Sequence, residues 1–140
     1  MNKPSSFRTA LLAALPSLAN DPQRVSIHVE RGRIRTNGER AAGWEYDYQL
    51  TVLIQDFADD FDALASFVMD WMRINEPAAL KNNQKNGTAV RFESEVLSSE
   101  LADVCIEMDL TEAVVAGEQP GVWVHPPEPP ADPSASFLYG

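Results

Sequence analysis

The sequence predicts an α+β fold: a single domain with a mainly antiparallel sheet and two helices packed on it, followed by an extended, proline-rich C-terminal tail. Three observations carry this. From Trp44 to Gln55, apolar and polar residues alternate almost without interruption, as in a long half-buried strand. From Phe61 to Asn75, apolar residues recur at helical spacing. After Gly117 the composition turns to proline, which marks a domain of residues 1–117 and a tail of residues 118–140. A chain of 140 residues favours one domain, large enough to build a core without disulfide or metal support.

Taken in order, the first element is a helix. Ser5 or Ser6 can cap it, and Ala10, Leu11, Ala14, Leu15 and Leu18 follow at helical spacing. Pro16 lacks a backbone donor and should kink this helix or end it early. Asn20-Asp21-Pro22 reads as a turn. Val25, Ile27 and Val29 then alternate with Ser26, His28 and Glu30 as a strand. Gly32 should break that run, leaving Arg33-Ile34-Arg35 as a short partner before Asn37-Gly38.

The strand that follows places Trp44, Tyr46, Tyr48, Leu50, Val52 and Ile54 on one face. Twelve residues span about 40 Å, so the strand can cross the whole domain and project, unless a bend shortens it. Asp56, Asp59, Asp60 and Asp62 lead into the second helix, whose inward face is Phe61, Leu64, Val68, Trp71 and Met72, with Pro77 beyond its end. Residues 81–88 are a polar loop. Val90 to Leu97 and Asp103 to Ala116 read as an antiparallel pair, with Phe92 and Val96 inward on one and Val104, Ile106, Met108 and Leu110 inward on the other. Val122-Trp123-Val124 is either a short edge strand or an anchoring clip. The prolines from Pro126 to Pro130 favour an extended backbone, and the chain closes on Phe137-Leu138-Tyr139. That apolar tip either stays unstructured in the free monomer or docks on a partner subunit.

Charge and composition narrow the function. The net charge of −10 argues against general nucleic-acid binding, which needs a basic surface to displace counterions. Residues 1–40 hold seven basic and three acidic residues, a balance of +4; residues 41–140 hold four and eighteen, a balance of −14. Such a chain can set a basic patch of one subunit against an acidic patch of another, or both can be solvated surface. There is no apolar run long enough to span a bilayer and no convincing export signal; with Cys105 as the single cysteine, synthesis in a reducing bacterial cytoplasm is expected.

Catalytic and metal signatures are missing. His28, His125 and Cys105 have no metal-ligand spacing, and no nucleophile elbow, phosphate loop or dinucleotide fingerprint occurs, so neither enzyme activity nor a cofactor is expected. The Asp56–Asp62 cluster lacks the central glycine and terminal glutamate of a calcium loop and fits helix capping better. Arg31, Arg33 and Arg35 line up if they share one extended strand, either as an anion site or as a charged edge that discourages wrong pairing.

The element order and its residues are similar to the tail completion protein R family of P2-type contractile-tailed phages and prophages. The likeness lies in Leu11 to Pro16, Trp44 to Leu50, Asp62-Ala63-Leu64 with Trp71-Met72-Arg73 and Pro77, Asp103 to Glu112, and His125 to Pro130. It implies a tail-terminator-like fold and a structural virion protein that assembles with itself as a ring of six, caps the tail tube at its head-proximal end, stops tail polymerisation and prepares the tail for head joining. Tail tube protein, sheath terminator and head–tail connector are the implied partners, with no sequence-specific nucleic acid and no membrane. A phage and a headless, bacteriocin-like tail particle are equally compatible. The expected contact residues are Arg24, Arg31, Arg33, Arg35, Trp123, Phe137, Leu138 and Tyr139. The competing reading is a cytoplasmic adaptor or assembly chaperone that binds through a sheet edge.

Overall fold

The computed structural model describes residues 1–36 and 43–128. Four helices lie on one face of a five-stranded antiparallel sheet. Strands β1 (Val25–Arg35), β2 (Gly43–Phe57), β3 (Val90–Val96), β4 (Ala102–Ala116) and β5 (Trp123–Val124) run in the order β1-β2-β4-β3, and β5 pairs with the far end of β4. The α+β class, the antiparallel sheet and the β2 alternation follow the sequence reading, and of Val122-Trp123-Val124 the last two form an edge strand.

Helix α1 (Lys3–Ala14) begins earlier than the serine caps predict. Asn2 is its N-cap without a side-chain bond, and Pro4 sits in the first turn, where its missing N–H costs nothing. Pro16 ends the helix and opens the single turn α2 (Pro16–Ala19). Helix α3 spans Phe61–Asn75 as predicted, and the Asp60 carboxylate accepts from the Asp62 N–H at its start, so the acidic cluster does cap a helix. Pro77 opens a further short helix, α4 (Pro77–Lys81).

The core is one cluster. Phe7, Leu11 and Leu18 from the first two helices meet Leu64, Val68, Trp71 and Met72 of α3 over Leu50, Val52, Ile54, Ile106, Met108 and Leu110 of the sheet. Phe7 stands edge-on to Phe67 and Trp71, with ring centroids 5.5 Å and 5.2 Å away.

Two corrections concern β1 and β3. Gly32 does not end β1. Arg31, at φ 53°, and Gly32 form a bulge between the Glu30–Gln49 and Arg33–Asp47 pairs, and the strand continues to Arg35. The extra residue reverses the alternation, so Arg33 and Arg35 share the solvent face with Glu30. Phe92 and Val96 do point to the helix side, opposite Ile106 and Ala102, but they are 61% and 76% exposed. The reason is length. A 15-residue helix covers about 22 Å, whereas a 15-residue strand runs about 50 Å. The helices cover the middle of the sheet, and both ends overhang.

Candidate assembly interface

The arginines expected to act together are divided between the two ends of β1. Arg24 sits where β1 begins. Its Nη1 donates to the Asp56 carbonyl at 2.8 Å and its Nη2 to the Ser17 carbonyl at 2.9 Å, with the Asp21 carboxylate 3.6 Å from Nε. It clamps α2 to the end of β2.

Arg33 and Arg35 lie about 30 Å further along at strand rise. Arg33 pairs with Asp47 at 2.8 Å, and Arg35 with Glu45 at 2.5 Å and Asp47 at 2.6 Å. Partial burial pushes the Asp47 carboxyl up, but the hydrogen bond from Arg33 and the charge of Arg35 outweigh it and hold Asp47 below the ordinary carboxylate value. Arg31, in the bulge, has no hydrogen-bond or ion-pair partner among the described residues and is exposed. These arginines edge a shallow groove of about 920 Å³ that also takes in Gln49, Arg91 and Asp109. Arg91 grips Asp109 through both guanidinium nitrogens at 3.0 Å and reaches Gln49 at 3.1 Å. The cations are thus largely matched within the subunit.

Trp123 lies at the far end of the sheet. Its ring meets Trp44 edge-on at 5.0 Å and is half exposed, with Ile34, Val122 and Val124 exposed as well. Gly117 lets the chain turn back here, because a side chain at that position would strike Val122 2.8 Å away. Phe137, Leu138 and Tyr139 lie outside the described residues.

A buried ionic cluster went unseen in the sequence. The Lys3 ammonium is shared among the Glu76 carboxylate (2.6 Å), the Glu128 carboxylate (2.7 Å) and the carbonyls of Asn75 (2.8 Å) and Thr111 (2.5 Å). Glu76 also accepts the Thr111 N–H at 2.6 Å. Glu112 accepts from the Asn2 and Lys3 N–H groups at 2.7 and 3.1 Å and from the Tyr48 hydroxyl at 2.8 Å. Thr111 lies on the stretch of β4 that neither β3 nor β5 covers, and Lys3 and Glu76 satisfy its backbone as a strand would. Burial raises the Glu76 carboxyl, and the Lys3 and Thr111 contacts only partly offset this. Burial, then the bond to Glu112, pushes the Tyr48 phenol far above its ordinary value. One signal was legible: Glu112 occupies an inward position in the β4 alternation, where a carboxylate demands a partner.

Cys105 sits part-buried in β4, its thiol pushed up by burial and then by nearby carboxylates. Among the described residues no cluster of potential metal ligands forms, and no helix is long and apolar enough to cross a membrane.

This arrangement ties the ionic groups into the fold and leaves apolar surface exposed at the sheet ends. Comparison with known proteins gives the family. Residues 1–129 match the family model of the P2 phage tail completion protein R (GpR). Tail completion protein R of Escherichia phage P2 is 30% identical over 148 residues, an alignment spanning 100% of this chain and 95% of that protein. No solved structure matches the chain. The chain belongs to the P2 phage tail completion protein R family: a structural component of the contractile virion tail, acting in tail completion among other tail components.

Proposed function

We propose that this protein caps the tail tube at its head-proximal end as a ring of six copies, ends tube polymerisation and makes the tail competent to join a head. The observation that carries this reading is the family match, which runs from the first residue to the proline-rich segment. In this reading the 1–117 domain forms the ring wall, with Trp123, Val124 and Glu128 of the tail segment packed back on it. The protein is made in the bacterial host cytoplasm and contacts the tube protein below and the sheath terminator and connector above. The same part caps a headless tail particle if no head is made.

The proposed contact surface comprises Arg31, Arg33, Arg35 and Trp123 at one end of the sheet, Arg24 at the other end of β1, and Phe137, Leu138 and Tyr139 at the tip of the tail. Electron microscopy of particles from a strain lacking this gene tests the proposal. Over-long tails without heads are expected, with normal length restored when the gene is supplied in trans. Tails of normal length bearing heads in its absence would refute it.

A further inference from the structure

One edge of β4 is paired with β3 as far as Met108 and with β5 from Val115 onward, and no strand pairs with it in between. Asp109 and Thr111 turn their backbone to this gap. The Asp109 N–H donates to the Ala89 carbonyl at 3.0 Å and the Thr111 N–H to Glu76 at 2.6 Å, while the Thr111 carbonyl accepts from Lys3. By the same alternation Ala113 faces the gap too. The chain that leaves β5 runs past it. Val124 pairs antiparallel with Val115, so the residues that follow travel back along β4. His125 Nδ1 comes within 4.0 Å of the Glu112 carboxylate, and Glu128 reaches the same Lys3 ammonium that Thr111 holds. Pro126 and Pro127 have no N–H, so this stretch can lie along the edge without extending the sheet or offering donors to another strand.

We propose that residues 122–128 form a releasable strap over this edge, latched by Glu128 on Lys3 and hinged at the Gly117–Gly121 turn. The two carboxylates on Lys3 are not equivalent. The Glu76 side chain is 5% exposed and also accepts the Thr111 N–H, which ties it to the sheet. The Glu128 side chain is 23% exposed and meets Lys3 alone among the described residues. When Glu128 leaves, Lys3 keeps Glu76 and the carbonyls of Asn75 and Thr111, and Glu76 is relieved of a like charge nearby. The latch can therefore open without dismantling the buried cluster. At the other end the strap is held by the pairing of Trp123 and Val124 with Ala116 and Val115, next to a turn in which Gly121 sits at φ 81°. Shut, the strap shields the edge at Ala113 and directs the chain out beside the start of α1. Open, it bares the edge from Asp109 to Ala116 and frees the chain from Gly117 onward. The device belongs to the single subunit and stands whether or not the ring forms.

Limited proteolysis of the full chain tests this. Chymotrypsin needs the strap lifted to cut after Trp123, and the fragment ending there is identified by mass. When opening and closing are fast, the cleavage rate follows the population of the lifted form. Glu128→Gln and Glu128→Lys are compared with wild type and with Glu95→Gln, whose carboxylate lies on β3 away from the strap. The strap predicts cleavage at least about tenfold faster for Glu128→Gln, and faster still for Glu128→Lys, which sets two cations together. The thermal transition of both should stay within about 2 °C of wild type, and Glu95→Gln should change neither reading. Wild-type cleavage rates in both Glu128 variants would overturn the latch. A thermal transition that falls in step with faster cleavage would overturn it as well, because Glu128 would then be an inseparable part of the core.

Discussion

The molecule uses ion pairs in two regions, and the contrast between them separates fold from contact. Around Lys3 the charges are buried: its side chain joins the start of α1, the end of α3, the uncovered stretch of β4 and Glu128 of the tail. Along the β1–β2 edge, Arg33 and Arg35 meet Asp47 and Glu45 on the surface, with the Arg33 side chain 67% exposed. The chemistry is the same and the energetics are not. Removing one member of a buried pair strands its partner in low dielectric, whereas an exposed pair exchanges readily with water or with another protein's charges. The first region holds the subunit together; the second is part of the proposed assembly surface.

The sharpest way to break this contrast is Lys3→Met. It leaves Glu76 and Glu128 without their cation, and a loss of about 3–5 kcal/mol in urea unfolding is expected. A loss below about 1 kcal/mol would put the cluster on a par with the surface pairs. Trp71→Ala should cost a similar amount, about 3–5 kcal/mol, because its ring is buried in the core edge-on to Phe7.

Next in size comes a contrast within the arginines. Arg24→Ala removes charged hydrogen bonds to two carbonyls and should cost about 1.5–3 kcal/mol, whereas Arg31→Ala should leave unfolding unchanged within about 0.5 kcal/mol. Equal effects would mean that the two ends of β1 do the same work.

Glu76 gives the region a pH signature. Its folded pKa is raised above the ordinary 4.5, so the folded state takes up this proton first. The associated stability is fully present below 4.5 and is lost as pH rises through the folded value. Wild type should therefore gain stability relative to Glu76→Gln as pH falls from 7 towards 4.5, measured by urea unfolding at each pH. A difference that stays constant with pH would show that Glu76 titrates normally. The smallest effect is expected from Cys105→Ser, within about 0.5–1 kcal/mol and with tail assembly unchanged.

Local pattern was enough for the elements whose signals are local. The 3.6-residue spacing, the Asp60 cap and Pro77 fix α3 to the residue, and the Trp44–Ile54 alternation gives both the extent and the inward face of β2. What the sequence did not reveal depends on distant partners. Gly32 reads as a break unless Tyr48 is known to lie opposite, in which case it reads as a bulge. Alternation tells which side Phe92 and Val96 face, but not that the helix above stops short of them. Lys3, Glu76 and Glu112 are up to 109 residues apart, and no spacing rule connects them. The residues of the proposed contact surface were named from local features alone: Trp123 as an apolar residue near a proline-rich tail, and Arg33 and Arg35 as charges on an edge strand.

The central claim, that this chain works by self-assembly through the arginine-bearing surface of β1, meets its most direct test in native mass measurement of two proteins. One is the wild-type chain with tube protein; the other is the triple variant Arg31→Glu, Arg33→Glu, Arg35→Glu under the same conditions. Wild type should form a ring, and the triple variant, folded by its thermal transition, should remain monomeric because the reversal turns attraction to acidic groups of a neighbouring subunit or of the tail tube into like-charge repulsion. A ring of unchanged mass from the triple variant would contradict the account.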